Sequence, residues 1–306
     1  MQRLDDLSLE VVVHPDPDTP PTREQLIEGA RGAVALLTLV TDPIDGELLD
    51  AVGDQLKVVA NVAVGYDNIR VEEARKRGVV VTNTPDVLTN ATADFAFGLI
   101  LSAARRIVEA DRWLRTRPDW IWGPRMFTGL DVSSSATLGI VGFGRIGKAV
   151  ARRAQAFDMR VIAQDAYPIA DPAGMGVEEV DLDTVLAESD IVTLHCPLTE
   201  DTRYIIDEAQ FAAMKPTAIL VNAARGPLVN EQALVEALKG GQIAYAALDV
   251  YEAEPKVNPG LFDLDNIVIV PHIASAGGAT RDAMAQLAID NVELVLDGQA
   301  PRTPVT

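Results

Sequence analysis

The stretch Thr137-Leu138-Gly139-Ile140-Val141-Gly142-Phe143-Gly144-Arg145-Ile146-Gly147 decides how the chain is read. Thr137 to Val141 is a short apolar run of the kind buried in a parallel sheet. It ends in a Gly-x-Gly-x-x-Gly turn. Beyond the turn, Ile146, Val150, Ala151, Ala154 and Phe157 recur at helical spacing. A second strand, Arg160 to Ala163, follows and leads to Asp165. Gly142 permits the tight turn, Gly144 lets a pyrophosphate reach the backbone, and Gly147 lets helix and strand pack closely. The helix N-terminus, at Arg145 and Ile146, offers free N–H donors and a positive dipole end to phosphates. Asp165 stands where an acid can accept hydrogen bonds from an adenine ribose. The segment is a dinucleotide-binding strand–turn–helix unit.

The rest of the chain repeats the alternation. Leu9–Val13, 33–40, 57–60 and 79–82 read as strands, with helices over 23–28, from Asp42-Pro43 to Ala51, and over 71–77. Residues 91–114 read as one long helix. An irregular segment with Trp120, Trp122 and Phe127 leads into the dinucleotide unit. Later strands fall at 191–194, 218–221, 244–248 and 267–270, and a long helix over 280–296 closes the chain. Strands alternating with helices imply an α/β protein with two doubly wound parallel sheets. Ligands in such sheets sit beyond the carboxyl ends of the strands, so informative residues should follow strands.

Composition narrows the function classes. The chain has 306 residues and a formal charge of −19, from 26 basic and 45 acidic side chains. That balance repels phosphate backbones and argues against nucleic acid. The most apolar run, 95–104, is too short to span a bilayer, and residues 1–10 lack an apolar leader. One cysteine, Cys196, allows no intramolecular disulfide and fits a reducing cytoplasm. Cysteine and histidine spacings suggest no metal site.

Several segments follow the strands. Arg225, fixed by Gly226, is either a bidentate carboxylate ligand or a turn arginine. Asp249 sits where a nicotinamide amide could donate to it, in a segment that also reads as a solvated acidic loop. His272 is the best placed of the chain's three histidines for proton transfer, although a histidine after a strand is often structural. His195 ends a strand of the dinucleotide array and lines the cofactor. Val64 and Gly65 could present N–H groups to an anion, or form an ordinary turn.

Together these segments resemble the D-isomer-specific 2-hydroxyacid dehydrogenases. The motifs are NVAVGYDNI (61–69), NTPDVLTNATADFAFGLIL (83–101), LGIVGFGRIGKAVARR (138–153), HCPLT (195–199), VNAARGPLVNEQAL (221–234), ALDVYEAEP (247–255) and PHIASAGGATRDAM (271–284). Within the family the likeness is greatest to the glyoxylate/hydroxypyruvate reductases. The resemblance implies a Rossmann domain over 99–287 and a flavodoxin-like substrate domain over 1–98 and 288–306, with a cleft between them. It implies catalysis by Arg225, Glu254 and His272. It also implies cofactor contacts from Thr92, Gly142, Gly144, Arg145, Ile146, Gly147, Asp165, His195, Cys196, Pro197, Thr202, Ala223 and Asp249. Val64, Gly65, Arg225, His272 and Ser275 would contact substrate. Ala274 and Gly277-Gly278 depart from the family pattern beside the pocket, and Ser133 to Ala136 replaces the usual glycine-lysine approach to the dinucleotide strand.

The implied reaction is NADH-dependent reduction of a small 2-keto acid to the D-2-hydroxy acid, and its reverse. NADP is disfavoured because residues 166–170 after Asp165 include no base. The expected assembly is a homodimer that uses the aromatic loop. Rival readings are a dehydrogenase for another 2-hydroxy acid and a non-catalytic NAD-sensing protein.

Overall fold

The computed structural model describes residues 9–16, 19–133 and 136–305. Residues 1–8 and the Ser134-Ser135 pair fall outside them. The chain divides into two compact units, residues 1–88 with 277–306, and residues 89–276.

The first unit holds α1 (Arg23–Ala30), β1 (Ala35–Thr38), α2 (Gly46–Val52), β2 (Val58–Asn61), α3 (Val71–Lys76) and β3 (Val80–Thr82). Its three strands run parallel in the order β1-β2-β3, so the chain winds in one direction among the described residues. Thr22 starts α1 with a capping box to Gln25, and the Asp45 side chain caps α2 at the Leu48 N–H. The Asp42-Pro43 start expected for α2 thus lies a few residues too early. Leu9–Val13 forms no strand. Val12 and Val13 are 70% and 60% exposed, and without a neighbouring strand an apolar run has no ladder to join.

The second unit begins with α4 (Thr89–Ala104) and α5 (Ile107–Arg115). The single helix expected over 91–114 is broken at Arg106, whose φ is 54°. The Ala104 carbonyl accepts the Leu130 N–H at 2.8 Å, which closes the first helix there. Gly129 permits that approach, because a Cβ would collide with the same carbonyl. Helix α4 belongs here because Ala93, Ala96, Phe97 and Ile100 share a core with Leu138, Ile140, Val221 and Ala247.

Next come β4 (Thr137–Val141), α6 (Arg145–Gln155), β5 (Arg160–Gln164), β6 (Glu178–Glu179), α7 (Leu182–Glu188), β7 (Ile191–Leu194), α8 (Glu208–Ala213), β8 (Ile219–Asn222), α9 (Glu231–Gly240), β9 (Tyr245–Leu248) and β10 (Ile267–Ile269). The closing helix α10 (Gly278–Leu296) lies in the first unit, where Ala288 and Val292 pack on Val58 and Ala60. The large sheet is parallel throughout, ordered β10-β9-β8-β7-β4-β5-β6. Every residue of β4, β7, β8 and β9 is buried, which is why these strands read as mostly apolar runs. From β4 the chain winds outward to β6, then returns and winds the other way through β7 to β10. The strand order therefore reverses between β4 and β7, the position where α/β sheets of this kind bind nucleotides.

Candidate active site

At the reversal point the loop after β4 meets the loop after β7. Gly142 has φ 92°, a conformation glycine adopts without strain, and an added Cβ would collide with the Cys196 backbone. The His195 N–H donates to the Val141 carbonyl at 2.7 Å and fixes the second loop beside the first. Gly147 lies against the Gly142 carbonyl, with no room for a side chain. At Gly144, by contrast, a Cβ would meet open space, so a ligand can approach the backbone there. Helix α6 starts at Arg145 and Ile146 with no side-chain cap, which leaves its first N–H groups for an anion. These features fit the pyrophosphate of a dinucleotide.

Asp165, after β5, turns its carboxylate toward the same turn. It accepts the Phe143 N–H at 2.6 Å and the Tyr167 N–H at 3.2 Å. The Cys196 thiol is buried, and burial pushes it up to about 12, so it stays protonated and packs without reacting. Burial also lowers His195 to about 4, which keeps that ring neutral; its Nε2 lies 2.9 Å from the Thr193 hydroxyl. Thr202 shapes the exposed loop at Pro197 by donating to the Pro197 carbonyl at 2.7 Å and accepting the Thr199 N–H at 2.8 Å. Thr92 on α4 and Ala223 after β8 are buried.

The loops after β8, β9 and β10 carry the other polar residues. Asn222 folds the first of them, donating to the Arg225 carbonyl at 2.8 Å and accepting the Ala224 N–H at 3.1 Å. Arg225 is half-buried and donates to the Ala224 carbonyl at 2.8 Å. Gly226 has no space for a Cβ because the Tyr251 and Glu252 backbone presses on it. The turn bearing Arg225 thus lies directly on the loop bearing Glu254.

His272 Nδ1 is 2.7 Å from Glu254 Oε2, and the other Glu254 oxygen accepts the Tyr251 N–H at 2.9 Å. The Tyr251 hydroxyl donates to the Val270 carbonyl at 2.8 Å, two residues before His272. Asp249 is fully buried, and its two oxygens accept the Ile273 and Ala274 N–H groups at 2.7 and 2.8 Å. Burial raises the Asp249 carboxyl above its ordinary range, and those two N–H groups oppose the shift. The His272 N–H donates to the Asp249 carbonyl at 2.8 Å, and His272 itself has φ 53°. Asp249 therefore anchors the histidine loop, a role its sequence position did not suggest. Ser275 is half-buried on the same loop.

Val64 and Gly65 belong to the first unit. Their carbonyls are held by the amides of Asn83 and Asn61, at 2.8 and 2.9 Å. Among the described residues their N–H groups have no acceptor, so they remain able to bind an anion.

Sequence reasoning missed Tyr251 and Asn222. Tyr251 reads as one apolar residue in an acidic loop, and Asn222 reads as a strand end. The aromatic segment is also divided differently. Trp120, Ile121 and Trp122 are 46%, 86% and 71% exposed. Phe127, however, packs edge-on against Trp113 at 5.5 Å and beneath the Arg106 guanidinium, so it does not join the exposed patch. Among the described residues no cluster could hold a metal ion, and no helix is long and apolar enough to cross a membrane.

Comparison with known proteins agrees with this construction. A family model for the NAD binding domain of D-isomer specific 2-hydroxyacid dehydrogenases matches residues 97–274. The glyoxylate reductase of Thermococcus litoralis is 49% identical over 298 residues, covering 95% of this chain and 89% of that protein. The crystal structure of the TT0316 protein from Thermus thermophilus aligns with a TM-score of 0.92 at 44% identity, covering all of this chain and 96% of the other. An NADPH-dependent glyoxylate/hydroxypyruvate reductase from Sinorhizobium meliloti, solved with NADP and malonate, aligns with a TM-score of 0.81 at 36% identity over 90% of this chain and 85% of its own. With an NAD-binding domain of this kind, and relatives this similar over nearly its full length, the chain belongs to the D-isomer specific 2-hydroxyacid dehydrogenase family and is an oxidoreductase acting on CH–OH groups.

Proposed function

We propose that this enzyme reduces a small 2-keto acid of the glyoxylate/hydroxypyruvate class to the D-2-hydroxy acid, and runs the reverse reaction, with NADH as the preferred cofactor. The observation that carries the reading is the 2.7 Å His272–Glu254 bond, held on the loops after β9 and β10 against the Arg225 turn. When bound, the nicotinamide supplies the hydride. Gly142, Gly144, Gly147 and the first N–H groups of α6 receive the pyrophosphate. His195, Cys196, Pro197, Thr202, Thr92 and Ala223 line the remaining cofactor surface, and Asp249, buried beneath Ile273 and Ala274, holds the loop at the carboxamide end. Arg225 binds the substrate carboxylate, with Ser275 on the neighbouring loop of the same unit; in the other unit the Val64 and Gly65 N–H groups suit an anion. Arg225 also polarises the keto oxygen. Glu254 accepts from His272 Nδ1, which fixes the ring and leaves Nε2 to protonate that oxygen as negative charge grows on it.

The preference for NADH rests on Asp165. Its carboxylate is held beside the glycine turn, where it accepts ribose hydroxyls and repels a 2′-phosphate. The Sinorhizobium meliloti relative is named NADPH-dependent, so cofactor choice needs its own measurement. The parent should favour NADH by at least about tenfold in kcat/KM, and Asp165→Ala should narrow the ratio. Equal or better use of NADPH by the parent would remove Asp165 as the determinant.

The exposed Trp120, Ile121 and Trp122 favour a homodimer that buries this loop, in a cytoplasmic enzyme. Light scattering at micromolar concentration checks the dimer, and a monomer would exclude it. The central test is NADH consumption with glyoxylate, hydroxypyruvate, pyruvate and bulkier keto acids. Best turnover on the first two supports the reading. A bulkier best substrate moves it to another 2-hydroxy acid, and NADH binding without turnover on any of them would make the protein a sensor.

A further inference from the structure

Glu231 opens α9 and is only 5% exposed, although a glutamate in a helical first turn usually faces water. Its Oε1 accepts the Glu252 N–H, and its Oε2 accepts the Asn258 N–H at 3.2 Å. One carboxylate therefore spans the base of the loop from 252 to 258. Inside that loop a turn from Ala253 to Lys256, closed at 2.9 Å, carries Glu254. The outer side is fastened as well. The Glu252 carboxylate accepts the Tyr204 hydroxyl and lies 3.4 Å from the Glu231 N–H. The loop that carries Glu254 is thus shaped from α9.

We propose that Glu231 is a positioning residue of this enzyme: by holding the N–H groups of Glu252 and Asn258 with one carboxylate, it sets Glu254 against His272. The proposal rests on the function given above, in which Glu254 orients the proton donor. A carboxylate suits the task because both oxygens accept and neither donates. In Glu231→Gln one oxygen becomes an NH2 group facing an N–H donor, so one of the two tethers is lost while the side chain keeps its size. Burial raises the Glu231 carboxyl from its ordinary value, with the two N–H groups opposing the shift.

The test compares the parent, Glu231→Gln, Glu231→Ala and, as a control, Glu236→Gln at an exposed position of the same helix. Each is assayed for kcat and KM in glyoxylate reduction by NADH, with NADH affinity measured separately. In the Glu231 variants kcat should fall about ten- to a hundredfold, the usual effect of a small misplacement at a reacting group. The loss should fall on kcat, with KM for glyoxylate within about twofold of the parent, because the tether acts on the proton donor and not on the carboxylate ligand. NADH affinity should stay within about twofold, since the cofactor turn lies elsewhere on the sheet. Glu231→Gln should fall between the parent and Glu231→Ala, and it decides alone if the alanine variant does not fold. An active parent whose Glu231→Gln variant matches Glu236→Gln in kcat, or loses as much in KM as in kcat, overturns the proposal and leaves the function reading intact. A parent that turns over no keto acid overturns both.

Discussion

On one side of the large sheet, the loops after β4, β5 and β7 are shaped by backbone. Gly142, Gly144 and Gly147 leave no side chain in the way, and Asp165 and the His195 N–H fasten main-chain groups. On the other side, the loops after β8, β9 and β10 are shaped by side chains. Asn222 folds its own turn, and Asp249, Tyr251, Glu254 and His272 bond across from loop to loop. The difference follows from the two tasks. A pyrophosphate is held by N–H groups, which need bare backbone. Proton transfer needs a particular ring nitrogen at a particular place, which takes a network of side chains to hold.

The comparison predicts that changes on the two sides separate binding from turnover. The largest effect is expected at His272. His272→Gln should lower kcat by about 10² to 10⁴ and leave NADH affinity near that of the parent. Near-normal turnover in that variant would remove His272 from the mechanism. Arg225→Lys keeps the charge but loses the planar fork, so KM should rise and kcat fall together, with a combined loss of about 10² to 10³ in kcat/KM. An effect no larger than that of a distant surface arginine would count against the assignment.

Gly142→Ala probes the other side. It forces a side chain into φ 92° and against Cys196, so NADH affinity should drop by about tenfold or more while kcat at saturating NADH changes little. A loss confined to kcat would erase the distinction between the two sides.

The smallest effect concerns acid stability. His195 ordinarily titrates near 6.5, and burial holds it near 4 in the folded chain. Between those two values the unfolded chain binds a proton that the folded chain does not, so stability falls as pH drops through that window. Because the ring is not wholly shielded from solvent, this drop is about 1–2 kcal/mol. His195→Gln should flatten it in denaturant titrations of the cofactor-free protein. An unchanged slope would mean that His195 is not the group responsible.

How much of this could be read from the sequence follows the same divide. The glycine turn was legible because a backbone requirement leaves its residue type in the sequence at fixed spacing. Strands β4, β7, β8 and β9 were legible because burial on both faces leaves mostly apolar residues. The side-chain network was not. Arg225, Glu254 and His272 came together as a set only through the family resemblance, because the residues between them carry no periodic sign of a shared site. Glu231 looks like any first-turn acid until its burial is known. The break at Arg106 escaped notice because its cause, the Leu130 N–H on the Ala104 carbonyl, lies a long loop away. Leu9–Val13 has the composition of a strand, but composition does not supply a neighbour.

The left-handed backbone at His272 restricts how this enzyme could change its chemistry. Among proton-donating side chains, histidine is one that visits that region with some frequency, whereas lysine, tyrosine or glutamate would bear a backbone cost of about 1–2 kcal/mol before any chemistry began. Asparagine would fit the backbone but give up no proton. Replacement of the acid by drift is therefore filtered twice, once by reactivity and once by chain conformation. A design that aims for a different donor would have to rebuild the Val270–Ala274 turn together with the side chain.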